Sequence, residues 1–465
     1  VNHSRWQMPT RLPAEHLARI KDIPPLMAQL LYNRGITDPA EVEPFLAADE
    51  SLLADPFLLP DMEKAVARIR RALDASESIV IYGDFDADGI TATALLTDGL
   101  SSLGASVAPY IPHRTDEGYG LNHAALERLH KQGVGLVVTV DCGISTVAEV
   151  ERAHKMGLDV VITDHHTVPS QIPLAIAAID PKRADSIYPF PDLAGVGIAF
   201  KLFQALVNSL GKAQRLDYLL DLVALGTVAD MVPLLGENRY LVKRGLEVLN
   251  STRRLGLREL VRSAGLFPGS IDHDTISWVL GPRLNAAGRL DHAITSHDLL
   301  STKSEEEAQR LANFLEKKNA ERQRLTAEVL AKAREKLLAQ GTDFPLLMVG
   351  DEDYPSGVVG VVAGRLAEEF YRPTIVFEGG EEWSRGSARS IPEFNVIAAL
   401  TQCADLLSRF GGHPMAAGFT AHTENLPLLR ERLVEIAAGQ LADLDLRPLV
   451  LIDAELHLSS LQGGA

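Results

Sequence analysis

The chain has 465 residues, 46% of them hydrophobic, and 62 acidic against 45 basic side chains give it a formal net charge of −17. That length sets roughly two to three domains, and that acidity argues against a broad duplex-binding surface while allowing a narrow basic groove for a single strand. Two cysteines, Cys142 and Cys403, exclude a disulfide framework and a Cys/His zinc site and fit a reducing compartment. No charged segment followed by an apolar run opens the chain, and no uncharged apolar run approaches about 20 residues, which disfavours secretion and membrane spanning.

Residues 1–60 hold helical pieces interrupted by Pro24, Pro25, Pro39, Pro44, Pro56 and Pro60, and read as an irregular N-terminal extension. From 61 the pattern becomes regular. The helix MEKAVARIRRAL precedes the strand SIVIYGD, and helices then alternate with the strands ASVAPYIP, GLVVTVD, DVVITD and AIAAID. Apolar runs of about five residues between helices of about a dozen predict an α/β fold with a parallel sheet covered on both faces. Helical segments around AGVGIAFKLFQALV and DLVALGTVADMVPL complete a catalytic domain over 61–250.

A connector over 251–340 ends in one long linking helix from 302 to about 340, free of Pro and Gly, with Ser304 and Glu307 as a capping box and Gly341 as its stop. Lys317, Lys318, Arg322 and Arg324 on that helix line a groove between two lobes or, interleaved with Glu316 and Glu321, form a solvated face. A second, smaller α/β domain follows over 341–445. The tail 446–465 starts another strand, the beginning of a truncated C-terminal β domain.

Chemistry concentrates at strand ends. VVITDHH, residues 160–166, sets an Asp and two His after a β-branched strand; SIVIYGDFDADG sets Asp84, Asp86 and Asp88 after another, and LVVTVDCG ends in Asp141. Asp230 lies in ALGTVADMVPL. The carboxyl ends of parallel strands are where open α/β sheets build sites. A lone Asp there is usually a helix cap, but several at successive strand ends beside His165 and His166 form a ligand set for Mn²⁺ or Mg²⁺. The acids are too many for one ion. Two ions roughly 3.5 to 4 Å apart, sharing one carboxylate, would accommodate them and would suit phosphoryl displacement. Asp84 is open between ligand, outer partner and turn residue.

GDFDADG, VDCG, TDHH and ALGTVADMVPL resemble, in order, the four motifs of the DHH phosphoesterase superfamily. GPRLNAAGRLDH (281–292), GSARS (386–390) and GGHPMAAGF (411–419) resemble its bacterial RecJ branch, the last being similar to the signature of the accessory DHHA1 domain. The resemblance implies a cytoplasmic, metal-dependent 5′ to 3′ exonuclease specific for single-stranded DNA, acting in repair and recombination and releasing 5′-mononucleotides by two-metal hydrolysis. It implies two divalent ions, Mn²⁺ first and Mg²⁺ second. Asp86 and Asp141, with Asp84 nearby, would hold one; Asp88, Asp141, His165 and Asp230 would hold the other. Asp141 would bridge, and His166 would lie beside the scissile phosphate. Family members often carry His where this chain has Tyr82, which would leave the first ion one nitrogen short.

Donors suited to the substrate are Arg114 and Tyr119 on a loop after a strand, Arg283, Asn285 and Arg289 in a small-residue turn, Ser387 and Arg389 in a glycine-containing turn, and His413 in GGHP. Each has a purely structural counterpart reading, as a loop residue, an interdomain bridge or a turn histidine. The resemblance implies a 5′-ended single strand as partner, cooperation with the single-strand DNA-binding protein and a helicase, and an oligonucleotide-binding type for the truncated domain. A monomer without membrane contact is expected. The competing readings are a nuclease or phosphodiesterase for short oligonucleotides or cyclic dinucleotides, and a catalytically silent scaffold that holds single-stranded DNA.

Overall fold

A computed structural model describes residues 4–20, 23–114, 116–211 and 216–456. Two compact units emerge: Glu43–Ala320, and a second formed by Val1–Val42 with Glu321–Ala465. Strand β1 (Arg5–Gln7) lies in the latter. The former is built on five strands, β2 (Ser78–Gly83), β3 (Ser106–Tyr110), β4 (Val134–Val140), β5 (Asp159–Thr163) and β6 (Ala177–Ile179).

These five strands run parallel in the order β3-β2-β4-β5-β6, as the alternation of strands and helices predicts. Alternate residues face opposite layers. Ile79, Ile81, Leu136, Val138 and Val161 join one core with the helices Met62–Asp74, Ala87–Ser102 and Gly195–Ser209, while Val80, Tyr82, Val137, Val160 and Ile162 join another with His123–Lys131 and Val147–Lys155. Because β3 and β4 leave β2 on opposite sides, the chain reverses direction at the carboxyl ends of β2 and β4, where doubly wound sheets open a crevice.

The second unit has β7 (Leu347–Asp351), β8 (Thr374–Glu378), β9 (Trp383–Arg389), β10 (Leu407–His413) and β11 (Ala416–His422), ordered β10-β11-β9-β8-β7 with one parallel pair, β7 and β8. Helix Ser356–Phe370 packs on one face with Val376, and Val396–Gln402 and Leu426–Leu441 pack on the other with Ala388 and Phe419. Strand β12 (Leu449–Leu451), where a further β domain is expected to begin, pairs in parallel with β1. Residues 457–465 of that expectation lie outside the described residues.

The expected linking helix is one 36-residue helix, Glu305–Gln340, whose start is capped by Ser304 Oγ accepting from Glu307 N at 3.3 Å. Two local expectations change. Arg283, Asn285 and Arg289 lie on helix Gly281–Leu290, not in a turn: a Cβ on Gly288 would stand 2.6 Å from the Phe85 carbonyl oxygen, so the small residues serve close packing. Ser387 and Arg389 lie on strand β9, not in a turn, where Gly386 is required because a Cβ there would meet the Phe419 ring at 2.3 Å.

Candidate active site

In-register pairing aligns Gly83, Val140, Thr163 and Ile179 at the carboxyl edge of the first sheet. The next residue of each strand is an aspartate: Asp84, Asp141, Asp164 and Asp180. After Asp84 the chain turns tightly into helix Ala87–Ser102. Asp86 caps that helix, accepting from Asp88 N at 3.0 Å and Gly89 N at 3.1 Å. Gly89 has no room for a side chain, since a Cβ would lie 2.6 Å from the Asp84 carbonyl oxygen. Asp88, in the first turn of that helix, is buried and accepts from Gly195 N at 2.7 Å and Val196 N at 2.8 Å at the start of a second helix. Asp141 has φ 59°, a left-handed conformation that a non-glycine residue keeps only when its surroundings impose it.

Three overlapping groups follow, each with one ligand atom per residue and all atoms within 4.8 Å of one another: Asp84, Asp86 and Asp141; Asp88, His165 and Asp230; and Asp141, His165 and His166. His165 Nε2 stands 3.0 Å from Asp141 Oδ1, 3.7 Å from Asp230 Oδ2 and 3.9 Å from Asp88 Oδ2. Burial, then mutual repulsion, raises the carboxyls: Asp88 to about 7, Asp230 to about 8, and Asp84 and Asp141 well above the ordinary range. Asp84 Oδ1 is buried without a hydrogen-bond donor. Carboxylates packed this closely fit divalent cations, which would supply the missing positive charge. All six expected ligands therefore meet at one place, with Asp141 and His165 common to two groups.

Asp164, read in the sequence as part of the TDHH run, has a positioning role. Its carboxylate accepts from His166 Nδ1 at 2.7 Å and from the backbone N–H groups of Ile144, His165 and His166 at 2.9, 2.8 and 3.1 Å. Burial works against a charged His166, but Asp164, Asp84 and Asp230 outweigh it and raise the imidazole to about 9. Tyr119 reaches the same ring, its hydroxyl 3.2 Å from Nδ1, and donates to the Asp141 carbonyl at 3.2 Å. Arg114 stacks over Phe85 at 4.7 Å, near Asp84 and Asp86. Tyr82, the position where the resemblance leads one to expect a nitrogen ligand, is buried and spends its hydroxyl on Gly120 O at 2.9 Å, bracing the loop that carries Tyr119.

Arg283 is held by Glu316, Nε to Oε2 at 2.6 Å, and by Val279 O at 2.9 Å. Asn285 Oδ1 is buried without a hydrogen-bond partner, and Arg289 ends the helix whose Gly288 abuts the Phe85 carbonyl. Sequence reasoning missed Asp180 and Lys182, whose Nζ donates to the His165 carbonyl, and Gly195, where a Cβ would strike the Asp141 Cβ at 2.7 Å. Counting one residue past each aligned strand would have found Asp180.

In the second unit, pairing places Arg389, Ala416 and His413 side by side on β9, β11 and β10. Arg389 Nη1 donates to Ser387 Oγ at 3.0 Å. Both side chains face helix Ser356–Phe370, since a Cβ on Gly360 would lie 3.0 Å from Ser387 Oγ and 3.1 Å from Arg389 Nη2. The three expected donors therefore share one sheet face.

The model for the DHH family, N-terminal domain, matches residues 78–227, and that for the DHHA1 domain matches 342–439. The chain is 42% identical to the single-stranded-DNA-specific exonuclease RecJ of Bacillus subtilis, over 97% of this chain and 57% of that protein. It is 37% identical to the RecJ of Dickeya dadantii, over 96% of this chain and 80% of that one. The chain belongs to the RecJ family. A solved RecJ from Thermus thermophilus in complex with Mn²⁺ superposes with a TM-score of 0.83 at 32% identity, covering 96% of this chain and 64% of that one. A second RecJ, bound to manganese, gives 0.74 at 36% identity, covering 85% and 98%. This RecJ-family chain thus spans a little over half the length of its Bacillus relative. Its DHH match takes in every ligand position above except Asp230.

Proposed function

We propose that this chain is a metal-dependent exonuclease specific for single-stranded DNA, hydrolysing phosphodiester bonds from a 5′ end and releasing 5′-mononucleotides. The observation that carries the reading is the convergence of Asp84, Asp86, Asp88, Asp141, His165 and Asp230 at one sheet edge. RecJ relatives solved with Mn²⁺ and with Mg²⁺ support divalent ions as the cofactor; the overlapping ligand groups suit two of them, and Mn²⁺ is our first choice. Asp84, Asp86 and Asp141 would hold one; Asp88, Asp141, His165 and Asp230 the other. Bound there, the two cations would acidify a water and offset the charge gathering on the phosphoryl oxygens.

The chain's own groups do the rest. Asp141, in its imposed conformation, presents its carboxylate to both groups. His166, held charged by Asp164 and oriented by Tyr119, donates to a phosphate oxygen. Arg114 adds positive charge at the mouth of the site, and Tyr119 offers a ring to a base. Arg283, Asn285 and Arg289 lie on the helix that abuts the catalytic turn. Ser387, Arg389 and His413 would take the phosphate or terminal nucleotide. Functionally, 1–60 is an extension, 61–250 catalytic, 251–340 a connector, 341–445 substrate-binding, and 446–465 the start of a further domain.

The same reading carries a cytoplasmic monomer in DNA repair and recombination, with the single-strand DNA-binding protein and a helicase as partners. Among the described residues no helix is long and apolar enough to cross a membrane. The test is digestion of a long single strand labelled at either end, in Mn²⁺, Mg²⁺ or chelator, with a blunt duplex as control. Prompt metal-dependent release of a labelled mononucleotide from the 5′ end alone is expected. Asp141→Ala should abolish it; near-native turnover in that variant would refute the assignment.

A further inference from the structure

The helices that deliver acids to the metal site each have a second end. Helix Ala87–Ser102 starts at Asp86 and Asp88, and helix Leu220–Ala229 runs the other way to finish at Asp230. The two pack closely near the centre, where a Cβ on Gly226 would collide with Thr91 Oγ1 and stand 3.0 Å from Asp88 Oδ1. At their far ends, Asp98 and Ser102 on one side and Asp217, Tyr218 and Asp221 on the other border a cavity of about 690 Å³. At about 1.5 Å per residue, the helix from Asp88 to Asp98 sets roughly 15 Å between this cavity and the ligands.

Every residue that borders the cavity lies within Glu43–Ala320. Its volume falls in the range of roughly 300–1,000 Å³ typical of small-ligand sites. Arg254, whose side chain is 9% exposed, ties the two helices together: Nη2 stands 3.0 Å from Asp98 Oδ2, and Nε stands 3.2 Å from Asp221 Oδ1. Those two carboxylates are thereby largely neutralised. Val248, Leu255 and Leu300 supply apolar wall, and Tyr218, half-buried with its hydroxyl bonded to Ser102, supplies a ring. Arg253 and Lys303 border the same space and are exposed, Lys303 lying 3.5 Å from Asp98, while Asp217 brings one further negative charge. An apolar wall with an aromatic ring beside two exposed cations suits a flat ring that carries an anion.

We propose that this cavity is an effector site for a nucleotide, its ring against Tyr218 and its phosphate on Arg253 and Lys303, and that filling it tightens divalent-metal binding at the other ends of the same two helices. Asp88 and Asp230 belong to one ligand group, so the spacing of their helices sets the space open to the ion. A ligand that touches both helices in the cavity holds that spacing, and a centre organised in advance binds its ion more tightly. Coupling of this kind is reciprocal and typically about 5–150-fold. The role needs the metal centre but not the nuclease reading.

The experiment is calorimetric titration of the full chain with dAMP, dATP, adenosine or inorganic phosphate in chelator, followed by Mn²⁺ titration with and without saturating dAMP. Variants are Arg253→Ala/Lys303→Ala, Ser251→Trp to fill the cavity from its exposed edge, and Arg389→Ala to control for nucleotide held in the second unit. Nucleotide should bind at least about tenfold more tightly than adenosine or phosphate. Both cavity variants should weaken it about tenfold or more with the wild-type melting temperature retained, and Arg389→Ala should leave this binding in place. Preference for dAMP would make the effector the 5′-mononucleotide product and preference for dATP a free triphosphate; either supports the site. Saturating dAMP should tighten Mn²⁺ binding at least about fivefold, and Arg253→Ala/Lys303→Ala should abolish that gain, which separates it from Mn²⁺ bound to free nucleotide. No nucleotide binding, unchanged binding in both cavity variants, or equal Mn²⁺ affinity with and without dAMP overturns the proposal. Neither titration reads turnover, so failure here leaves the nuclease reading to its own digestion test.

Discussion

Asp164 illustrates how much of this centre depends on side chains outside the three ligand groups. It gathers three backbone N–H groups and His166 Nδ1 around one carboxylate, so it sets the turn that aims both histidines. Partners of ligating groups are typically worth 10–100-fold in metal affinity or activity. Asp164→Asn should therefore lower kcat by about 10–100-fold with the fold retained, read by steady-state kinetics beside a circular dichroism melt; an unchanged kcat would remove its positioning role. The sequence shows Asp164 as an Asp before two His. It does not show which of the three faces the metal, because that depends on where Ile144 and the strand beneath deliver their N–H groups.

At the scale of elements, helices are brought to the centre by glycine contacts and by one buried ion pair. Lys201, fully buried on helix Gly195–Ser209, pairs with Glu237 on helix Gly236–Leu249 and donates to Ala54 O at 2.8 Å, while the Tyr188 hydroxyl caps Glu237. Burial pushes the lysine down and the glutamate up against their mutual attraction. Removing one partner leaves an uncompensated buried charge, so Glu237→Leu should cost about 3–5 kcal/mol, whereas Lys201→Met/Glu237→Leu should be far milder. Urea unfolding of both variants distinguishes this from a dispensable pair, which would show equal small losses. Gly288 makes the second contact: Gly288→Val should displace helix Gly281–Leu290 from the Phe85 carbonyl and reduce turnover more than stability, measured by kinetics and thermal melting. Helix boundaries were legible because periodicity is local. The strand character of GSARS and the helix in GPRLNAAGRL were not, because their small residues answer to Phe419 and Phe85, far away in the chain.

For the whole molecule, the crowded carboxylates couple stability to pH and to metal. In the metal-free chain Asp88 titrates at about 7 and Asp230 at about 8, both above the ordinary 3.8. The folded state then binds more protons than the unfolded one between those values, so stability falls as pH rises through about 7 to 8. Melting in chelator should occur at a lower temperature at pH 8.5 than at pH 6, and added Mn²⁺ should raise it more at the higher pH, since a cation binds the ionised folded form. Asp88→Asn should flatten the pH dependence. A melting temperature that rises with pH in chelator would contradict the crowding described.

What the sequence by itself determined is the local grammar: parallel strands alternating with helices, carboxylates and histidines after successive strands, a long capped helix, and the motifs of the RecJ family. These follow from periodicities of two and 3.6 residues and from residues adjacent in the chain. The tertiary structure alone decided the rest. Parallel register turned four separate aspartates into one row and made Asp180 its member. The start of helix Gly195–Ser209 clasped Asp88 across 107 residues, and antiparallel register set Arg389 and His413 in one row on either side of Ala416. Contacts of that kind are specified by which strands pair and how far each slides, which depends on packing across the whole sheet and leaves no signature within any one segment.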